Sequence, residues 1–117
     1  MDVNKYAHSS TDHFYVLTGR IHSPSDYRKL EDICNARQHG NHDPLVLDFS
    51  GITFCTSQAL GILVSHARQL KKHDIPLCVY NPQDEVRETI AVSGIAEVLN
   101  CVSTPQDLES LLKDADG

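Results

Sequence analysis

Leu45-Val46-Leu47-Asp48-Phe49 and Leu77-Cys78-Val79-Tyr80 read as short buried strands, and the stretch between them repeats apolar residues at helical spacing. Leu60, Leu63, Val64, Ala67 and Leu70 fall on one face of that helix, with His66, Arg68, Gln69 and Lys71 opposite. Strand, helix, strand in this order make a crossover unit, and such units build parallel sheets. This pattern constrains the fold more than any other feature of the chain.

The flanking segments extend the unit. Asp12 to Ile21 has the β-branched and aromatic content of a strand, and Val3 to His8 is a weaker strand joined to it through Ser9-Ser10-Thr11, as in an antiparallel hairpin. Tyr27, Leu30, Ile33 and Cys34 recur at helical spacing, and the loop His39-Gly40-Asn41-His42-Asp43-Pro44 ends that helix. A helix from Glu85 to Ser93 stops at Gly94, Val98 to Val102 reads as a last strand, and Leu108, Leu111 and Leu112 mark a terminal helix. Helices are therefore expected near residues 24–38, 57–72, 83–93 and 105–114. The fold class is α/β: a single domain over residues 1–117, with a mixed, mostly parallel sheet. Right-handed crossovers put the connecting helices mainly on one face.

Composition narrows the function. The chain has 117 residues and a net charge of −6, which argues against a nucleic-acid backbone binder or a polybasic membrane anchor. No apolar run approaches the roughly 18 residues of a membrane span, and the first residues lack a signal-peptide core. A soluble cytoplasmic domain without membrane insertion is expected. Cys34, Cys55, Cys78 and Cys101 lie far apart among apolar neighbours and read as structural thiols in a reducing compartment. His39 and His42 could supply two zinc ligands, but no third is suitably spaced, so they read as a solvated loop. No cofactor is expected.

Three of the four helix starts read cap, proline, any residue, aspartate: Ser23-Pro24-Ser25-Asp26, Asn81-Pro82-Gln83-Asp84 and Thr104-Pro105-Gln106-Asp107. A side-chain oxygen accepts an orphan amide, proline presets φ, and the acid meets the positive end of the helix dipole. The fourth start, Cys55-Thr56-Ser57-Gln58-Ala59, has hydroxyls but no proline and no acid. Its positive end is not neutralised by its own first turn, and it follows a core strand after a short turn, Ser50-Gly51-Ile52-Thr53-Phe54, at the sheet end where ligands and partners bind. Two readings stay open here: a recognition site, or a tight turn in which Thr56 or Ser57 is only an N-cap.

The chain resembles the STAS domain of bacterial anti-sigma factor antagonists over essentially its whole length. Leu17-Thr18-Gly19-Arg20-Ile21 is similar to that family's early motif, and Leu45 to Phe54 resembles its central strand with the aspartate at Asp48. Thr56-Ser57-Gln58-Ala59-Leu60-Gly61 falls on its Asp-Ser-Ser-Gly-Leu-Gly segment, and Ser93-Gly94-Ile95 on a later motif. The resemblance implies a switch protein and not an enzyme. It implies binding to an anti-sigma factor serine kinase of the histidine-kinase-type ATPase fold, phosphorylation at the position of Ser57, loss of binding, and reset by a PP2C-type phosphatase. Here Thr56 replaces the motif aspartate, Gln58 the second small residue and Ala59 the glycine, while Leu60-Gly61 is retained. The alternative is a non-phosphorylated STAS subunit that regulates a transport ATPase or a larger signalling assembly. Either way, the expected partner-binding residues are Thr53, Thr56, Ser57, Gln58, Leu60 and Gly61. Gly61 has two readings: close approach of a partner, or close packing of the helix on its own sheet. The residues offer no acid–base pair, nucleophile elbow or phosphate-cradling loop that would make an enzyme.

Overall fold

The computed structural model describes residues 1–8, 11–36 and 43–116, with side chains described for 1–4, 14–36 and 43–113. The sheet has four strands in sequential order: β1 (Asp2–His8), β2 (Thr11–Ile21), β3 (Leu45–Cys55) and β4 (Leu77–Tyr80). β1 and β2 form the expected antiparallel pair; β2–β3 and β3–β4 are parallel. Four helices follow the expected places: α1 (Pro24–Ala36), α2 (Ser57–Lys71), α3 (Asp84–Val92) and α4 (Pro105–Asp116). The turn at Ser9-Ser10, the end of the first helix beyond Ala36, and the His39–His42 loop lie outside the described residues.

Side-chain alternation along the strands sorts the core into two layers. Leu17, Leu45, Leu47, Phe49, Leu77 and Val79 face α1, α2 and α3 in one continuous cluster. The intervening Phe14, Val46 and Cys78 point the other way and meet Leu108 of α4. Three helices thus cover one face and α4 covers the other. The α2 stripe behaves as its spacing predicts: Leu60, Leu63, Ala67 and Leu70 are buried, and Val64 is partly buried.

Two local expectations are corrected. Val98 to Val102 forms no strand: residues 96–100 are turns, and Asn100 sits at φ 45°, which breaks an extended run. The segment still touches the edge of β4: the Leu99 carbonyl accepts from the Val79 amide at 3.0 Å, and Val102 makes one parallel bridge to Tyr80. Asn81 is not a cap either. It occupies the left-handed region at φ 52°, and α3 begins later, after Gln83, which makes no side-chain cap bond. Ser23 and Thr104 do cap as expected, accepting from the Asp26 and Asp107 amides at 3.2 and 3.1 Å. Gly94 ends α3 at φ +71°, where the Ile95 amide reaches back to the Ile90 carbonyl at 3.3 Å.

Candidate functional site

The turn expected at Ser50–Phe54 does not form: that segment stays paired with β2, so β3 runs to Cys55 and hands over to α2 without a loop. Thr56 is extended, at φ −75° and ψ 161°, and its amide donates to the Ile21 carbonyl at the end of β2 (3.1 Å). The junction is therefore pinned to the sheet before the helix begins. The Thr56 carbonyl accepts the first helical bond, from Leu60 (3.2 Å), while its Oγ1 accepts from the Ala59 amide (3.2 Å). The Tyr27 hydroxyl on α1 lies 2.7 Å from the same Oγ1. Thr56 is thus the N-cap, and Ser57 occupies the first helical position.

The exposures divide the expected site residues cleanly. Thr53, Ser57, Gln58 and Gly61 are exposed, and Thr56 is half-buried. Thr53 lies near the end of β3 and the others at the start of α2, and the Thr53 hydroxyl donates to the Gly19 carbonyl at 3.3 Å. Leu60 departs from the expectation. Its side chain is 3% exposed and belongs to the main core, because it lies on the helix face turned to the sheet. It supports that surface from beneath and offers nothing to a partner. Gly61 has its alternatives resolved by space: a Cβ built there meets nothing within 4 Å. Helix–sheet packing does not require this glycine.

The electrostatics follow from the first turn. α2 carries no acid there, whereas Asp26, Asp84 and Asp107 stand at the starts of the other three helices. The amides beyond Ala59 bond within the helix, so the exposed positive end is what Ser57 presents. Asp26 itself is no free surface charge: it is buried against the Met1 ammonium at 3.0 Å.

Two residues at this end escaped the sequence reading. Phe54, at the end of β3, is 42% exposed, and the Arg20 guanidinium carbon sits 5.0 Å from its ring centroid. Tyr27 had the spacing of a core residue, and its hydroxyl is the part that reaches the α2 cap. An aromatic directly before a helix start was the available signal for Phe54; for Tyr27 the only hint was a polar atom on an otherwise apolar face.

The remaining features lie away from this end of α2. A cavity of about 510 Å³ lies at the opposite end of α2, against Ala67, Arg68, Lys71, Ile75 and Val98. Among the described residues no group of three or more His, Cys, Asp or Glu could hold a metal ion. His39 and His42 lie outside them. No helix among the described residues is long and apolar enough to cross a membrane.

The family model of the STAS domain matches residues 7–108. The chain belongs to the STAS domain family. The match runs from the last two residues of β1 through β2, β3, β4 and the first three helices to the start of α4, so the sequence motifs and the observed topology agree in one assignment. Among solved structures, the STAS domain of a SulP transporter from Vibrio cholerae is similar, with a TM-score of 0.64 and 12% identity. The likeness covers 86% of this chain and 84% of that one, and at such low identity it speaks to the fold alone. No curated protein matches this chain in sequence.

Proposed function

We propose that this STAS domain is the antagonist of a partner switch, a cytoplasmic binding module and not an enzyme. Its ridge of Thr53, Thr56, Ser57, Gln58 and Gly61 binds an anti-sigma factor serine kinase of the histidine-kinase-type ATPase fold. Phosphorylation of Ser57 ends that binding, and a PP2C-type phosphatase restores it. One observation carries the reading: Ser57 is exposed at the first position of a helix whose opening turn holds no acid. A phosphate there, carrying about −1.5 to −2 charges, meets the positive end of the dipole and does not break the helix. The same charge against a partner surface shaped for a neutral hydroxyl costs several kcal/mol of binding.

The reading is tested by intact mass after incubation with ATP and a candidate anti-sigma factor kinase of the ATPase fold. One added phosphate on wild type, and none on Ser57→Ala, is the expected result. Ser57→Asp should melt close to wild type and bind the kinase far more weakly than Ser57→Ala. An Asp variant that binds as tightly as the Ala variant overturns the switch.

One observation favours the second reading, a STAS subunit that regulates a transport ATPase without being phosphorylated. Thr56 stands in place of the motif aspartate, and its hydroxyl is already committed to the Ala59 amide and to Tyr27. A carboxylate for kinase recognition is therefore missing from this position. The similarity to a transporter's STAS domain is compatible with that reading. Absence of any phosphate after kinase treatment, with binding to a transport ATPase retained, would select it.

A further inference from the structure

β3 is longer than the sheet it belongs to. β4 pairs only with Leu45 to Asp48, and the β1–β2 pairing begins at Asp2 opposite Thr18. Beyond those limits Gly19 to Ile21 and Gly51 to Cys55 form a two-stranded projection, and α2 starts directly from its tip. The projection ends in an exposed aromatic. Phe54 and Val92 are the two large hydrophobics exposed among the described residues, and Phe54 alone has a cation on its ring. Arg20 forms no ion pair with a carboxylate among the described residues, and its guanidinium lies on the ring.

Charge on the chain is arranged around this end. The protein has 16 acidic residues and a net charge of −6, yet none of the acids lies between Asp48 and Asp74. That interval holds the projection's second strand and all of α2, with Arg68, Lys71 and Lys72 at its far end. Arg20 and the unneutralised N-terminus of α2 add to the same sign at the near end. The projection's second strand and α2 therefore carry no acid of their own, the nearest acids of α3, Asp84 and Glu85, sharing a depression with Ser50 at the projection's base, while the aromatic–arginine pair stands at its tip. Aromatic and Arg side chains dominate binding hot spots because each offers a large desolvated area together with directional polar contacts.

We propose that Phe54 and Arg20 anchor the partner surface, with the ring entering an apolar pocket on the partner protein and the guanidinium pairing with a carboxylate on that pocket's rim. This inference rests on the partner-switch reading and deepens it by naming the partner's surface chemistry. The probe is a candidate anti-sigma factor kinase of the ATPase fold, titrated with wild type, Phe54→Ala, Arg20→Ala, Arg20→Glu and, as a distant exposed apolar control, Val92→Ala. Phe54→Ala and Arg20→Ala should each weaken binding at least about tenfold, Arg20→Glu further still, and Val92→Ala should leave it unchanged. Salt should weaken wild type more than Arg20→Ala. Melting temperatures of the Arg20 variants should match wild type, and Arg20→Glu reads the same surface should Phe54→Ala lose stability. Binding by wild type that Phe54→Ala and Arg20→Glu leave unchanged overturns this inference alone. Failure of wild type to bind overturns the partner-switch reading and this inference with it.

Discussion

The Tyr27 hydroxyl lies 2.7 Å from Thr56 Oγ1, so α1 holds the cap of α2 from the side. Thr56 performs the capping half of what an aspartate would do at this position, without its charge. Thr56→Ala removes the acceptor for the Ala59 amide and leaves a part-buried tyrosine hydroxyl unpaired. The expected loss is about 1–2 kcal/mol, read from urea unfolding. Tyr27→Phe should cost less, about 1 kcal/mol, because the cap bond survives it.

Gly61 is exposed in the middle of a helix with open space around it. Gly61→Ala should therefore stabilise the domain by roughly 0.5–1 kcal/mol through lost backbone entropy in the unfolded chain. Gly61→Arg should fold as well as wild type and lose partner binding. A large loss of stability in either variant would mean that the helix needs this glycine for packing.

Gly51 behaves oppositely. A Cβ there would stand 2.7 Å from Thr18 Cγ2 and 3.1 Å from the Leu17 carbonyl oxygen. The threonine methyl could turn aside, but the backbone oxygen cannot, and the contact falls where the β2–β3 register shifts. Gly51→Ala is expected to cost about 1–3 kcal/mol, measured as a lower urea midpoint with an unchanged slope.

Asp26 links stability to pH. Burial by itself would raise its pKa, but the His22 amide, the Met1 ammonium, and the Ser23 hydroxyl and amide outweigh it and hold the carboxyl well below the usual carboxylate range. The folded state therefore binds fewer protons than the unfolded chain near pH 4, where an unfolded aspartate titrates at about 3.9. Its stabilisation is complete above that value and drains away as pH falls toward the lower folded pKa. Asp26→Asn should cost about 3 kcal/mol at neutral pH and flatten the acid limb of a stability–pH profile.

The thiols should be inert while the domain is folded. Burial pushes Cys34, Cys55 and Cys78 up to about 12, and raises Cys101 as well. At pH 8 the thiolate fraction of such a group is on the order of one in ten thousand. A thiol-exchange reagent should label the native protein slowly and all four cysteines promptly in denaturant.

The order of strands and helices, the parallel β2–β3–β4 core and the buried α2 stripe were legible in the sequence, because each depends on a local period that a continuous segment carries by itself. The acid-free start of α2 was legible for the same reason: capping and first-turn charge are properties of neighbouring residues. Contacts between distant segments decided the rest. The spacing already put Leu60 on the buried stripe, but only the docking of α2 onto the sheet settles that the adjacent Gly61 faces open space. Val98 to Val102 has strand-like composition, but the left-handed Asn100, whose side-chain amide donates to the Leu77 carbonyl, interrupts it and leaves a single bridge at Val102. The Arg20–Phe54 pair and the Tyr27–Thr56 bond join residues that lie 34 and 29 positions apart. No periodicity encodes such meetings; they exist because β2 and β3 run side by side past the end of β4, and because α1 packs against α2.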